Sequence, residues 1–324
     1  MEPTTPSAPP ESSGTASDQP AASDQPAGPG TAAPWSPARP DPAAEKRESR
    51  ALLAWMADEQ AQLVLLEGRQ QERVTPAMAA QLARFRASLQ TRSGHVDQAG
   101  LIRPMPGGMA AYVARLEKNP QAQPYFEEGW RPALVDLPRV CAFQPSAFVD
   151  HSRERVARVS IGDVRSLADL TLPLDPGVPV TFQYDRARQM FITSVANQNL
   201  QVVGAFGGLA PGMPPGTVHM GFQVRMITSF LQVGSMQGRF FMRDGYHRAL
   251  GLVARGARYV PALVLEDMLM ADLVAPGALG VEAIMGAQPP TLADYWDDSV
   301  SATAYLPAPR RIISVAASEL SVYG

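Results

Sequence analysis

An α+β domain spanning residues 139–324, with a mixed-sheet core and a β-hairpin extension, is what this sequence predicts behind a helical pair and a disordered N-terminal tail. Three observations carry that expectation. Residues 229–265 run in the order strand, turn, strand, helix, strand, and VPVTFQY and QMFITSV flank the turn-forming DRAR at Asp185 to Arg188. Residues 1–44 are Pro, Ala, Ser, Gly and Thr with scattered charge, and hold too little apolar surface to offset their chain entropy.

Size and composition set the bounds. The chain has 324 residues, 45% hydrophobic and 18% charged, enough to build a core in one large or two modest domains. Its 28 Lys and Arg against 31 Asp and Glu give a net charge of -3, so bulk charge favours no polyanionic partner and DNA binding is not expected. Cys141 is the single cysteine, which excludes an internal disulfide framework and a two-cysteine metal knuckle, and its simplest reading is a small buried apolar residue. The opening MEPTTPSAPPESSG lacks the basic start and apolar run of a secretory signal. The apolar stretch VPALVLEDMLMADLVAPGALGVEAIM is broken by Glu266, Asp267, Asp272 and Pro276, short of a membrane span of roughly 20 residues. A cytoplasmic chain without membrane contact is therefore expected.

Along the chain, the tail repeats SDQP at Ser17 and Ser23. Residues 45–93 read as a helical pair: Leu52, Trp55, Met56, Leu63 and Leu66 form one stripe, and Met78, Leu82, Phe85 and Leu89 a second. Thr75 is placed as N-cap and Pro76 as the first helical residue. Trp55 and Phe85 either pack these helices together or face the main domain or a partner chain. Residues 94–138, rich in Pro and Gly with one short helical pattern at Met109 to Leu116, read as a connection lying over the domain surface. Gly204 to Gly216, GAFGGLAPGMPPG, reads as a long loop, either a binding lid or a flexible insertion.

Beyond that loop, SFLQV (Ser229 to Val233) predicts a strand, GSMQG a turn and Arg239 to Met242 a second strand. Gly245 opens a helix reaching Arg255, with Leu250, Val253 and Ala254 on its buried face and Gly256 as a left-handed stop; YVPALVL is the third strand. RRIISVAASEL, from Arg310, reads as a terminal strand. In LADYWDDSV, Tyr295 and Trp296 beside Asp297 and Asp298 read as a packed aromatic pair with a solvated acidic turn, or as a site for a cationic group or divalent metal.

The candidate site is Asp244, Gly245, Tyr246, His247 and Arg248. A glycine where a strand becomes a helix permits a sharp turn and close approach of a ligand, and the free N–H groups of the first helical turn attract anions. His247 and Arg248 add donors suited to phosphate, while Asp244 would cap the helix, orient Arg248 or help hold a nucleotide's metal. The same residues also suit an ordinary capped turn in which Arg248 pairs with a surface acid.

The 38 residues from Ser229 to Glu266, SFLQVGSMQGRFFMRDGYHRALGLVARGARYVPALVLE, resemble the core of the ParB/sulfiredoxin fold. Sulfiredoxins carry Gly-Cys-His-Arg at this turn, matched by Gly245, His247 and Arg248; ParB proteins carry Gly-Glu-Arg-Arg, matched by Gly245 and Arg248. The resemblance implies that the turn holds nucleotide phosphates. Tyr246 stands where those families keep a catalytic thiol or glutamate, so neither chemistry carries over, and Tyr246 is expected to stack on a ligand base or cover the pocket. A kinase-like activity would need a general base, for which Asp244, Glu266 and Asp267 are the nearby carboxylates.

No GxxxxGK[ST], HExxH or GxSxG is present, and His95, His151, His219 and His247 lack metal-ligand spacing. Two readings follow. One is binding of a nucleotide with magnesium, or of another phosphorylated small molecule, at the Gly245 turn, with catalysis undecided. The other is a non-catalytic scaffold with a protein partner, in which the turn is structural.

Overall fold

The computed structural model describes residues 46–69, 72–92, 97–175, 180–188, 190–195, 199–209, 212–270, 277–308 and 311–316. The expected disordered tail lies outside them. Within them the architecture is mixed α and β, and no described helix is long and apolar enough to cross a membrane.

The strand-turn-strand-helix-strand unit forms as the periodicity predicts, with shifted boundaries. β9 (Gln232–Met236) and β10 (Arg239–Asp244) pair antiparallel around a tight turn in which Gln237 and Gly238 both take positive φ. Gly234, Ser235 and Met236 thus belong to the strand. α7 (Tyr246–Ala254) follows, then β11 (Tyr259–Leu265), which lies parallel to β9. The central sheet is completed by β3 (Arg131–Asp136) against β11 and β2 (Ile102–Pro104) against β3, giving the order β10-β9-β11-β3-β2. Of the segment expected to lie over the surface, the described residues 97–138 instead enter the central sheet. They supply two strands, because Ala133, Val135 and Leu137 are buried beside β11, and Leu101 beside β3, in places that local Pro and Gly signals do not reveal.

A second sheet corrects the expected helical start at residue 45. KRESRA forms β1 (Lys46–Ala51), paired antiparallel between β12 (Ala302–Pro307) and β4 (Ser146–Phe148). Tertiary pairing outweighs local preference here, because Arg50 is buried and fully engaged, donating to the carbonyl of Tyr295 (2.5 Å), to Asp298 (2.7 Å), Ser301 (2.6 Å) and Thr303 (3.1 Å). Helix α1 spans only Asp58–Leu65, and Leu63 of the predicted stripe is exposed. α2 (Pro76–Thr91) starts as expected, with the Thr75 hydroxyl accepting from the N–H of Met78. Trp55 and Phe85 face the main domain: both are buried in the single large core, and the Trp55 indole donates to the carbonyl of Gln288 at 2.7 Å.

α3 (Ala110–Glu117) and α4 (Gln123–Glu127) precede β3, and α5 (Val149–Val156) and α6 (Val164–Thr171) follow β4. α5 packs against α7 at close range. A Cβ on Gly251 would lie 2.4 Å from the Ser152 carbonyl oxygen, so the helices approach through a residue without a side chain. The buried face of α7 is Tyr246, Arg248, Ala249, Leu250, Gly251 and Leu252, whereas Ala254, expected inside, is exposed. α8 (Val281–Met285) lies near the C-terminal end.

The DRAR hairpin joins β5 (Gln183–Asp185) to β6 (Met190–Val195), with the Asp185 carboxylate accepting from the N–H groups of Ala187 and Arg188; β13 (Arg311–Ala316) pairs on the other side of β6. The glycine-rich stretch is not one long loop. Its first half lies in β7 (Leu200–Leu209), paired with β8 (Val218–Met226), where its glycines sit opposite larger side chains.

Gly251→Val should be strongly destabilising, since the added atoms meet a backbone carbonyl that cannot yield. A loss of about 1–3 kcal/mol is expected in urea unfolding, against no more than about half a kcal/mol for Gly162→Ala, where the added Cβ meets nothing within 4 Å and φ is not positive.

Candidate functional site

β10 ends at Asp244 and α7 begins at Tyr246, so a single residue turns the chain. Gly245 has φ 95° and ψ 19°, the left-handed region that side chains disfavour. A Cβ here would stand 3.1 Å from Arg248 Nη2 and 3.2 Å from Leu231 Cα. The close approach that glycine permits at this turn is made by the protein's own atoms.

Three of the five predicted residues are joined through Ser229, in the segment leading to β9. One Asp244 carboxylate oxygen accepts from the Gly245 N–H at 2.6 Å, and the other accepts from the Ser229 hydroxyl at 2.6 Å. Ser229 Oγ in turn accepts from Arg248 Nη2 at 2.7 Å. Arg248 Nη1 donates to the carbonyl of Ser229 (2.6 Å) and to that of Leu170 (3.2 Å) at the end of α6. Arg248 is only 5% exposed, and its Nε has no hydrogen-bond partner among the described residues. Burial pulls its pKa down to about 10, opposed by the charge of Asp244. It remains a cation at neutral pH, with Asp244 as its counter-charge through a serine relay.

Tyr246 also faces inward. It is 3% exposed, its oxygen accepts from the N–H of Phe143 (2.8 Å) and of Gln144 (3.4 Å), and its ring meets Phe143 and Tyr295 edge-on at 5.7 and 6.5 Å. The expected role of stacking on a ligand is thus replaced by packing inside the core. Burial raises the phenol above its ordinary range, so it stays protonated.

His247 is half-buried and takes no part in the Ser229 network. It stacks on Phe148 at 6.2 Å with 20° between the planes and lies 5.7 Å from His151. Arg47 donates to His151 Nε2 and pairs with Asp150 at 2.9 Å. Burial first, then the charge of Arg155 and the neighbouring His151, lowers the His247 pKa to about 4. Both histidines shift in the same direction, and His247 is neutral near pH 7.

Of the other carboxylates considered as bases, Glu266 pairs with Arg131. Asp267 donates its N–H to the Ser235 hydroxyl, near the end of β9 remote from the turn. Cys141 is fully buried, and loss of solvent pushes its thiol up to about 12, so it sits in the core as an unreactive apolar residue. In the acidic stretch, Tyr295 is buried with its hydroxyl donating to the Gln144 carbonyl. Asp294 closes a capping box with Thr291, Arg92 pairs with Asp294 and Asp297, and Arg50 pairs with Asp298. Among the described residues no group of three or more His, Cys, Asp or Glu side chains could hold a metal.

Sequence reasoning missed Ser229 as the centre of the network. No local signal marks it, because its partners, Asp244 and Arg248, come from β10 and α7. Comparison of the chain with protein-family models, curated proteins and solved structures returns no match.

Ser229→Ala should remove the relay and leave Arg248 and Asp244 each short of a partner, costing about 1–3 kcal/mol in urea unfolding. Tyr246→Phe, which strips the acceptor from two backbone N–H groups, should cost about 1–3 kcal/mol. A second expectation concerns pH. The folded chain binds the His247 proton more weakly than the unfolded chain, so this contribution to stability is complete above about pH 6.5 and is lost as pH falls toward 4. Thermal midpoints should decline over that window, and His247→Phe should flatten part of the decline.

Proposed function

We propose that this chain is a non-catalytic interaction protein in which the Gly245 turn is a structural knot. The observation that carries the reading is Arg248: its terminal nitrogens are engaged by Ser229 and Leu170, so the residue best suited to grip a phosphate is occupied from within. Tyr246, directed into the core, supports the same reading. Outward, the fold offers apolar sheet surface, with Phe191, Met220 and Phe222 all more than half exposed. A ParB/sulfiredoxin-like core is part of the proposal, supported by the order β9, β10, α7, β11 and by the left-handed glycine at the strand-to-helix turn.

The second reading, binding of a nucleotide with magnesium or of another phosphorylated small molecule, is favoured by one observation. Arg155 is exposed, has no ion-pair partner among the described residues, and lies close enough to lower the pKa of His247. An anion would then sit on the outer side of the turn, against His247 and Arg155.

A thermal-shift screen of nucleotides, with and without magnesium, separates the two. The interaction reading expects no stabilisation by any phosphorylated compound. A ligand at about 100 times its Kd would contribute roughly 2.7 kcal/mol; a shift of that size that disappears in Arg155→Ala would overturn the interaction reading and establish the outer anion site.

A further inference from the structure

β8 reads VHMGFQVRM, apolar at every second residue from Val218 to Met226. The register sets Val224 opposite Val202, Phe222 opposite Ala205, Met220 opposite Gly207 and Val218 opposite Leu209. Directly paired residues share a face of an antiparallel ribbon. These eight residues therefore make one face with no charged or hydrogen-bonding side chain, while His219, Gln223 and Arg225 lie on the other.

The two ends of this face differ. At its base Leu200 and Met226 are buried against Ile313 of β13. Toward the tip Met220 is 82% exposed, Leu209 76%, Val218 58% and Phe222 53%. Exposed Tyr184 and Phe191, whose rings meet at a tilt with centroids 4.9 Å apart, lie on the face of the neighbouring sheet that also carries Ile313. Contiguous apolar surface of this kind marks an interaction site.

The shape of the face selects its partner. In the two central rungs the bulky side chain belongs to β8 and the small one to β7, so a ridge of Met220 and Phe222 runs beside a trough at Gly207 and Ala205. Leu209 and Val202 close the trough at its ends. A two-fold axis sets the ridge of each copy over the trough of the other, and an uncharged face meets its own copy without like-charge repulsion. With Tyr184 and Phe191 the exposed apolar side chains offer roughly 800 Å² per copy, comparable to what a stable interface buries on each side.

We propose that the apolar face of β7 and β8 is a self-association surface, pairing with the same face of a second copy of this chain. The proposal rests on the interaction reading and supplies its partner.

Sedimentation equilibrium of the full chain over a wide concentration range tests it, beside Met220→Asp and Gly207→Leu. A dimer is expected for the unaltered chain. Met220→Asp places a charge on the ridge. Gly207→Leu fills the trough while making the face more apolar, and it suits the local backbone, since a Cβ there meets its nearest atoms at 3.8 and 3.9 Å. Each variant should weaken dimerisation roughly thirtyfold or more while keeping its thermal midpoint. A chain that is monomeric at every concentration overturns the proposal, whether or not it then binds lipid vesicles through this face. So does a dimer that survives Met220→Asp, or association that strengthens in Gly207→Leu, which would mark an unspecific sticky surface. A monomer with no response to nucleotides would sink the self-association alone and leave the structural reading of the turn intact; nucleotide stabilisation would sink that reading whatever the mass.

Discussion

A guanidinium enclosed in a protein core needs its charge balanced and its donors met, and around Arg248 the terminal nitrogens meet that requirement while Nε is left without a partner among the described residues. Its donors reach the end of α6 at Leu170 and the segment before β9 at Ser229, and its counter-charge, Asp244, acts through the Ser229 hydroxyl. Removing any one of these groups leaves another buried and unpaired, which costs more than the bond itself contributes. The network holds three separate segments in one geometry. The left-handed glycine between Asp244 and Tyr246 follows from it, because the helix must start within one residue of the strand for Arg248 to reach back to Ser229.

The same first turn of α7 anchors a second region. Tyr246 accepts from Phe143 and Gln144, Gln144 in turn accepts from Tyr295, and Tyr295 offers its carbonyl to Arg50 of β1. Polar links therefore run from the central sheet to the outer sheet through groups that are almost all buried. In this setting polar atoms are satisfied by neighbours fixed in place, and the low dielectric strengthens each contact. It accounts for the inclusion of residues 46–92 in the main core, with Trp55 bonded to Gln288 and Arg92 bridging Asp294 and Asp297.

The region of β5 to β8 and β13 is built on a different balance. Its own small core holds Leu200, Met226 and Ile313, and much of the remaining apolar surface is left to solvent. Main-chain pairing, with glycines opposite bulky residues, holds the ribbon in register. The central body thus encloses a few charged groups, Arg50, Asp136, Arg248 and Asp294, while the ribbon exposes apolar side chains.

What the sequence determined by itself are the elements whose signals are local. The helix start at Thr75 and Pro76, the DRAR hairpin, and the order of strand, turn, strand, helix and strand from residue 229 to 265 depend on capping, turn chemistry and periodicity over a few neighbours. Tertiary structure decided the rest. KRESRA has no strand pattern of its own and becomes β1 only because β12 and β4 flank it; residues 131–136 enter the central sheet because β11 lies beside them; glycines that read as a loop join β7 because β8 supplies the side chains they lack. The same holds for the candidate site. Its five residues were legible as a cluster, but the directions of their side chains were not. Whether Arg248 faces solvent or Ser229 depends on atoms contributed by α6 and the β9 approach, some 78 and 19 residues away in sequence, and no local pattern encodes a contact across that distance.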